Sequence, residues 1–381
     1  MMSHRTKQEL VDTVRPRYYA ATRGEKKGIL DELEANTGYH RKYAIHLLRH
    51  PREVPVRRKR RVKRRYTLPV QAALVKVWHA ANCICGKRLV PCMEWFVSAM
   101  ERHGELTLDS ETRRLLLAMS PATADRLLHD ERQTNVRRGL STTKPGTLLK
   151  QAIPVRTFAD WNGARPGFFE VDLVAHCGDS TRGDYVHTLV MLDVATGWTE
   201  LVALPNKGQK AVTAAIDRVR QRLPFPMLGL DSDNGSEFIN ANLARYCVQH
   251  HITFTRSRPY KKNDQPYVEQ KNWTVVRQMV GYDRYEGAKA TQCLQTLYDD
   301  LHPYVNCFQP LMKMTAKKRV GSRLRKWYDN ARTPYQRVLA VCEASADSKA
   351  QLQQQYLSLN PVALLRRIHQ LQDKLWCLAK G

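Results

Sequence analysis

Gly229-Leu230-Asp231-Ser232-Asp233-Asn234-Gly235-Ser236-Glu237-Phe238 begins within a short apolar run from Met227 to Leu230. The run reads as a buried strand that ends in two carboxylates and a glycine turn. Upstream, Gly167-Phe168-Phe169-Glu170-Val171-Asp172-Leu173-Val174-Ala175 reads as a second strand with Asp172 in its middle. Downstream, Asn263-Asp264-Gln265-Pro266 reads as the start of a helix, proline being tolerated in the first turn, with Glu269 just inside it. Taken singly, each of these carboxylates reads as a solvated surface charge. Taken together, Asp172, Asp233 and Glu269 read as one site.

Phosphodiester chemistry explains why such a site needs these residue types. An attacking oxygen must come in line with the leaving oxygen, against a charged backbone. Two hard cations about 3.5–4 Å apart can activate one and stabilise the other. Such cations want a few carboxylate oxygens on rigid elements. Thirty-five residues separate Asp233 from Glu269. The arrangement resembles the DDE transposases and retroviral integrases, whose Asp, Asp and Glu carry this last spacing. By motif the resemblance covers roughly residues 166–281.

The resemblance implies a ribonuclease H-like α/β fold, with Asp172, Asp233 and Glu269 as catalytic residues holding two Mg²⁺, for which Mn²⁺ substitutes. It implies a bacterial insertion-sequence transposase that frees a 3′-hydroxyl at the element end and joins it to target DNA, without a covalent protein intermediate. An inactive DNA-binding regulator and a nuclease that does not join are the alternatives. Relatives place His where Asp231 stands and Gly or Asn near Gln265. Asp231 and Asp233 share a strand face, and Asp233 is preferred as the ligand because it abuts the Asn234-Gly235 turn and keeps the family spacing. Glu170 shares the face of Asp172 and reads as a flanking surface group. Asp179 and Asp193 read as structural, and Glu237 as part of a helix start.

Lys and Arg number 62 against 36 Asp and Glu, a net charge of +26. That excess points to a polyanionic partner, double-stranded DNA first. No run of about 18 consecutive apolar residues occurs, and no signal-type apolar segment follows the first residues. The expectation is therefore a soluble, cytoplasmic, nucleoid-associated bacterial protein with no membrane partner. Nine scattered cysteines suit a reducing compartment. His79, Cys83, Cys85, Cys92 and His103 are the one metal-like cluster, and the Cys83-Ile84-Cys85 spacing is too short for a usual zinc pair.

Residues 1–50 read as a helix-turn-helix-like DNA-binding domain, with Arg41 and Lys42 on its second helix as phosphate donors. Residues 51–67 read as a basic linker. In it Arg57, Arg58, Lys59, Arg60, Arg61, Lys63, Arg64 and Arg65 place eight cations in nine positions, suited to tracking DNA phosphates. Residues 68–132 read as a second helical, helix-turn-helix-like domain, Ser120 and Pro121 opening the helix that bears Arg126. Residues 133–165 read as another basic linker.

Residues 166–306 read as the catalytic domain. Three strands in a meander lead to a helix, the Asp233 strand, a helix over 236–250, a fifth strand and the Glu269 helix running to about Val280. Lys261, Lys262 and Arg277 are its expected DNA contacts, while Lys271 points elsewhere on the helical wheel. Residues 307–381 read as a basic and helical extension, with a small strand pair within 313–327. An element with two ends implies a homo-oligomer.

Overall fold

The structure, a computed structural model, describes residues 2–50, 65–132, 165–257, 265–320 and 322–380. They fall into two units, Met1–Arg65 and Tyr66–Gly381. The expected contacts Arg57, Arg58, Lys59, Arg60, Arg61, Lys63, Arg64, Lys261 and Lys262, and nearly all of the 133–165 linker, lie outside the described residues.

The first unit consists of α1 (His4–Ala20), α2 (Arg23–Thr37) and α3 (Arg41–Arg49). Local chemistry sets the helix ends. Thr22 and Glu25 form a capping box at the start of α2. Gly38 ends it at φ +67°, a conformation that suits glycine. Val11, Tyr18, Ile29, Leu30, Leu33, Ala44 and Leu48 close a small core among the three helices.

The second unit begins with α4 (Leu68–Ala80), α5 (Met93–Arg102), α6 (Ser110–Leu117) and α7 (Pro121–Leu127). The sheet follows: β1 (Phe168–Ala175), β2 (His187–Asp193), β3 (Thr199–Leu204), α8 (Gln209–Arg222), β4 (Gly229–Ser232), α9 (Ala241–Gln249) and β5 (Thr253–Arg256). Its strand order is β3-β2-β1-β4-β5. β1, β2 and β3 pair antiparallel, whereas β4 lies parallel to β1 and β5 parallel to β4. A meander extended by two parallel crossover strands is the ribonuclease H-like arrangement.

Burial explains the sequence of the sheet. β2 and β3 are buried on both faces, and each carries an apolar run, Leu189–Leu192 in β2 and Leu201–Leu204 in β3. At the start of β1, Gly167 adopts φ +107°, and a Cβ there would lie 2.4 Å from the Pro226 carbonyl oxygen. The Gly167 carbonyl accepts the Leu228 N–H at 2.7 Å, so the backbone of β1 can start tightly against the approach to β4. The helix expected over 236–250 is shorter. Asn240 caps Leu243 N at 3.0 Å and starts α9 after a turn in which Gly235 O accepts the Phe238 and Ile239 N–H groups.

α10 (Pro266–Lys271) continues through a π-helical turn, Asn272–Arg277, to Val280. α11 (Gly287–Phe308) then lies along the edge strand β3. Its Asn306 accepts from Thr199 N and donates to Thr199 O, both at 2.9 Å, and Gln295 accepts from Ala203 N at 3.0 Å. Side chains of α11 thus satisfy and cover an edge that would otherwise be open to pairing. The chain closes with β6 (Met314–Val320), β7 (Arg323–Tyr328), α12 (Pro334–Ala340), α13 (Ala346–Ser358) and α14 (Pro361–Trp376).

The helices of 68–132 share one core with this closing segment. Tyr304 donates to the Ala80 carbonyl at 2.8 Å, Trp95 to Cys307 O at 3.1 Å and Arg88 to Pro310 O at 2.6 Å. Trp95, Tyr335 and Tyr356 stack together. The segments read from the sequence as 68–132, 166–306 and 307–381 therefore pack as one unit, through contacts more than 200 residues apart in the chain.

Candidate active site

Parallel pairing of β1 with β4 sets Glu170 beside Asp231 and Val171 beside Ser232. Continuing that register by one residue brings Asp233 beside Asp172, just past the last paired position. Side chains alternate along a strand, so Glu170 and Asp172 share one face, as do Asp231 and Asp233. Four carboxylates therefore form two rows on one side of the sheet.

The inner row is structural. Glu170 is fully buried, and its Oε2 accepts the backbone N–H groups of Val268 at 2.8 Å and Tyr267 at 3.1 Å. These are first-turn donors of α10, which have no partner inside the helix. Asp231 is also buried; it accepts the Thr255 hydroxyl at 2.6 Å and the Gln265 side-chain amide at 3.1 Å. The same amide donates to the Asp231 carbonyl at 2.9 Å. Both inner carboxylates thus hold the entry to the helix that bears Glu269. This corrects the reading of Glu170 as a flanking surface group: a helix end docks on it and removes it from solvent. Burial, with Asp231 and Glu269 nearby, pushes the Glu170 carboxyl up to about 8 despite the two N–H donors.

The outer row is less enclosed. Asp172 keeps one oxygen on the Leu173 N–H at 2.8 Å and the other on the Asn272 amide at 2.6 Å. Burial raises its carboxyl to about 7, the charges of Asp233 and then Glu269 adding to the effect against those two donors. Asp233 accepts the Gly235 N–H at 2.9 Å, which fixes it in the turn after β4, and its carboxyl is raised chiefly by burial. Asn234 ties the same turn to β5, donating to Ser257 O at 3.0 Å and accepting from Arg256 at 3.1 Å. Glu269 is exposed at the edge of this group. Asn272, three residues further on, lies on the same side of its helix.

The donor set suits a hard divalent cation. It offers carboxylate oxygens without thiol or imidazole, and the repulsion from Asp233 and Glu269 that adds to the effect of burial on Asp172 is what such a cation relieves. Asn272 Oδ1 adds a buried oxygen with no hydrogen-bond partner. Among the described residues no three His, Cys, Asp or Glu side chains already converge as a metal site. That holds for the His79, Cys83, Cys85, Cys92 and His103 cluster too, where Cys92 is buried and directs its thiol to the Ala331 carbonyl at 3.5 Å.

Other expected site residues are engaged in other contacts or exposed. Arg277 spends its guanidinium on the Ala175 carbonyl at 2.9 Å, on Gly281 O at 3.4 Å and on the Tyr282 ring, so it straps the helix to the sheet rather than facing phosphate. Arg41 pairs with Asp31 of α2. Lys42, Arg65 and Arg126 are exposed. Asp193 is buried, caps the β2–β3 turn through Thr196 and ties it to Gly167 at the start of β1, a structural role as the sequence suggests. Asn272 and Gln265 join the site only in the fold; in the sequence Asn272 is marked by its spacing of three from Glu269.

Residues 164–262 match the family described as integrase core domain, a span that contains Asp172 and Asp233 and ends before Glu269. The chain is 45% identical over 329 residues to Uncharacterized protein y4rM of Sinorhizobium fredii (strain NBRC 101917 / NGR234), covering 86% of this chain and 93% of that protein. A stretch of 93 residues, 24% of this chain, is 34% identical to 8% of the Pro-Pol polyprotein of feline foamy virus. Among solved structures, the catalytic core domain of BIV integrase aligns at 20% identity with a TM-score of 0.30, covering 45% of this chain and 91% of that one. The HTLV-2 integrase catalytic core domain in complex with magnesium aligns at 15% identity and a TM-score of 0.30, covering 39% and 92%.

Proposed function

We propose that this chain, which belongs to the same family as y4rM and is built on an integrase core domain, is a DNA transposase. An integrase-type catalytic core serves polynucleotidyl transfer in DNA integration. The finer reading is that the chain cuts the ends of an insertion sequence and joins the freed 3′-hydroxyl to target DNA. One observation carries it. Asp172 and Asp233 stand side by side where the parallel pairing of β1 with β4 ends, and the charge of Glu269 reaches Asp172 from a helix clamped onto the same face.

In this reading Asp172, Asp233 and Glu269 would hold two Mg²⁺, which when bound supply activation of the attacking oxygen and stabilisation of the leaving one. The protein's own part is placement. Asn272 orients Asp172, the Gly235 N–H orients Asp233, and Glu170 with Asp231 fixes the helix of Glu269. Rigid support of this kind is what an in-line displacement requires. DNA is the partner, bound by the three-helix unit and by the basic stretch that ends at Arg65. A second copy serves the second end of the element.

Strand transfer tests the proposal. Labelled element-end duplex and target DNA are incubated with the full chain in Mg²⁺, and joined product is measured. The intact chain should yield it, whereas Asp172→Asn and Glu269→Gln should each abolish joining and leave DNA binding unchanged. Joining at the intact rate by either variant would refute the assignment.

A further inference from the structure

Between Met314 and Tyr328 the sequence holds six Lys or Arg and no Asp or Glu. β6 and β7 make a two-stranded ribbon of it, with Lys318 opposite Arg325. Like charges directly opposed across a strand pair weaken it, and a lone hairpin is marginal in water to begin with. Burial does not compensate. Val320, Leu324, Trp327 and Tyr328 are 49%, 52%, 47% and 50% exposed, so neither face of the ribbon's outer part packs on the core. The sequence thus keeps an arrangement that costs stability in the isolated chain.

The base of the ribbon, in contrast, is tightly held. Lys313 and Asp329 exchange hydrogen bonds at 2.7 and 2.9 Å, and Asp329 pairs with Arg337 at 2.8 Å. The Lys313 ammonium donates to the Val194 and Ala195 carbonyls, at 2.7 and 2.6 Å, in the turn between β2 and β3. The ribbon therefore stands at a fixed place on the sheet that bears Asp172.

We propose that the β6–β7 ribbon is a DNA-gripping element that enters the major groove of duplex DNA beside the catalytic sheet. Strand alternation puts Lys318 and Arg325 on one face and Lys317, Arg319 and Lys326 on the other. A flat anionic surface such as a lipid leaflet meets only one of these faces. A groove walled by phosphates on both sides meets both, and the major groove is wide enough for a two-stranded ribbon. Phosphates there relieve the opposed cations, and the exposed Trp327 and Leu324 offer apolar contact to sugars and base edges.

The inference rests on reading the chain as acting on DNA, and its test is read without turnover. Binding of the full chain to a labelled duplex is followed by fluorescence anisotropy across a salt series, beside Lys318→Ala/Arg319→Ala/Arg325→Ala/Lys326→Ala. Each lost phosphate contact lowers the slope of log affinity against log salt by about 0.9, so the variant should lose roughly three to four units of slope. If that variant fails to fold, Lys318→Gln/Arg325→Gln removes a single opposed pair and should lose about two units. Lys318→Arg/Lys326→Arg should bind as the parent does. An unchanged slope overturns the proposal. So does a loss seen only on phosphatidylserine vesicles and not on duplex. A chain that grips duplex through the ribbon yet never joins strands would refute the proposed reaction and leave the ribbon's role standing.

Discussion

The Glu170 carboxylate accepts the Val268 N–H at 2.8 Å, so a buried side chain on the central strand holds the first turn of the helix that carries Glu269. The strand thereby sets both the position of Asp172 and the height of Glu269 above it. Two residues of one strand thus have separate places: Asp172 stands beside Asp233, and Glu170 holds the helix of Glu269.

This relationship predicts a split between two substitutions. Glu170→Ala strands the Tyr267 and Val268 N–H groups, and an unsatisfied buried donor costs about 1–3 kcal/mol. Strand transfer should fall at least tenfold while duplex binding is kept, and amide exchange over 267–272 should quicken. Glu170→Gln retains an acceptor of the same shape and should keep most of the activity. Equal loss in both variants would show that the clamp is not what sustains activity.

A pH dependence follows from the same group. Burial raises the folded Glu170 carboxyl to about 8, above its ordinary value of 4.5. The native state then holds a proton that the unfolded chain has released. The stabilisation is complete below the ordinary value and is lost as pH rises through the folded one. Chemical denaturation between about pH 5 and 9 should show the intact chain losing stability toward alkaline pH, with Glu170→Gln flattening part of that slope. Parallel slopes for the two proteins would contradict the assignment.

The sheet and its helices were legible because burial writes itself as apolar periodicity. The Asp172 and Asp233 strands and the meander between them follow from it. Glu170 was misread for a physical reason: a carboxylate two residues from Asp172 looks the same in sequence whether water or a helix end satisfies it. The π-helical turn at Asn272–Arg277 leaves no compositional mark either. Nor did the sequence announce that Tyr304 bonds Ala80, since that contact joins helices 224 residues apart.

That long-range packing decides where the chain can be cut. Residues 1–65 have their own core of Val11, Leu30, Leu33 and Leu48 and should fold alone, with helical circular dichroism and a cooperative melt. A fragment ending at Arg132 would expose Leu74, Phe96 and Met100, which the closing helices cover in the intact chain, and should aggregate. Salt-sensitive retardation of element-end duplex by residues 1–65 is the expected result. A soluble monomeric 1–132 fragment would show that the second helical segment does not depend on the closing helices.

The two rows of carboxylates make the most direct test, because Asp231 and Asp233 differ by two positions and by role. Asp231 is bound to Thr255 and Gln265, whereas Asp233 stands beside Asp172 just past the end of β4. The measurement is strand transfer by Asp231→Asn and Asp233→Asn across titrations of Mg²⁺ and Mn²⁺. Asp233→Asn should join no ends in either metal, and Asp231→Asn should retain joining about 10–100-fold slower, as expected when a supporting group is weakened. An inactive Asp231→Asn beside an active Asp233→Asn would contradict the account.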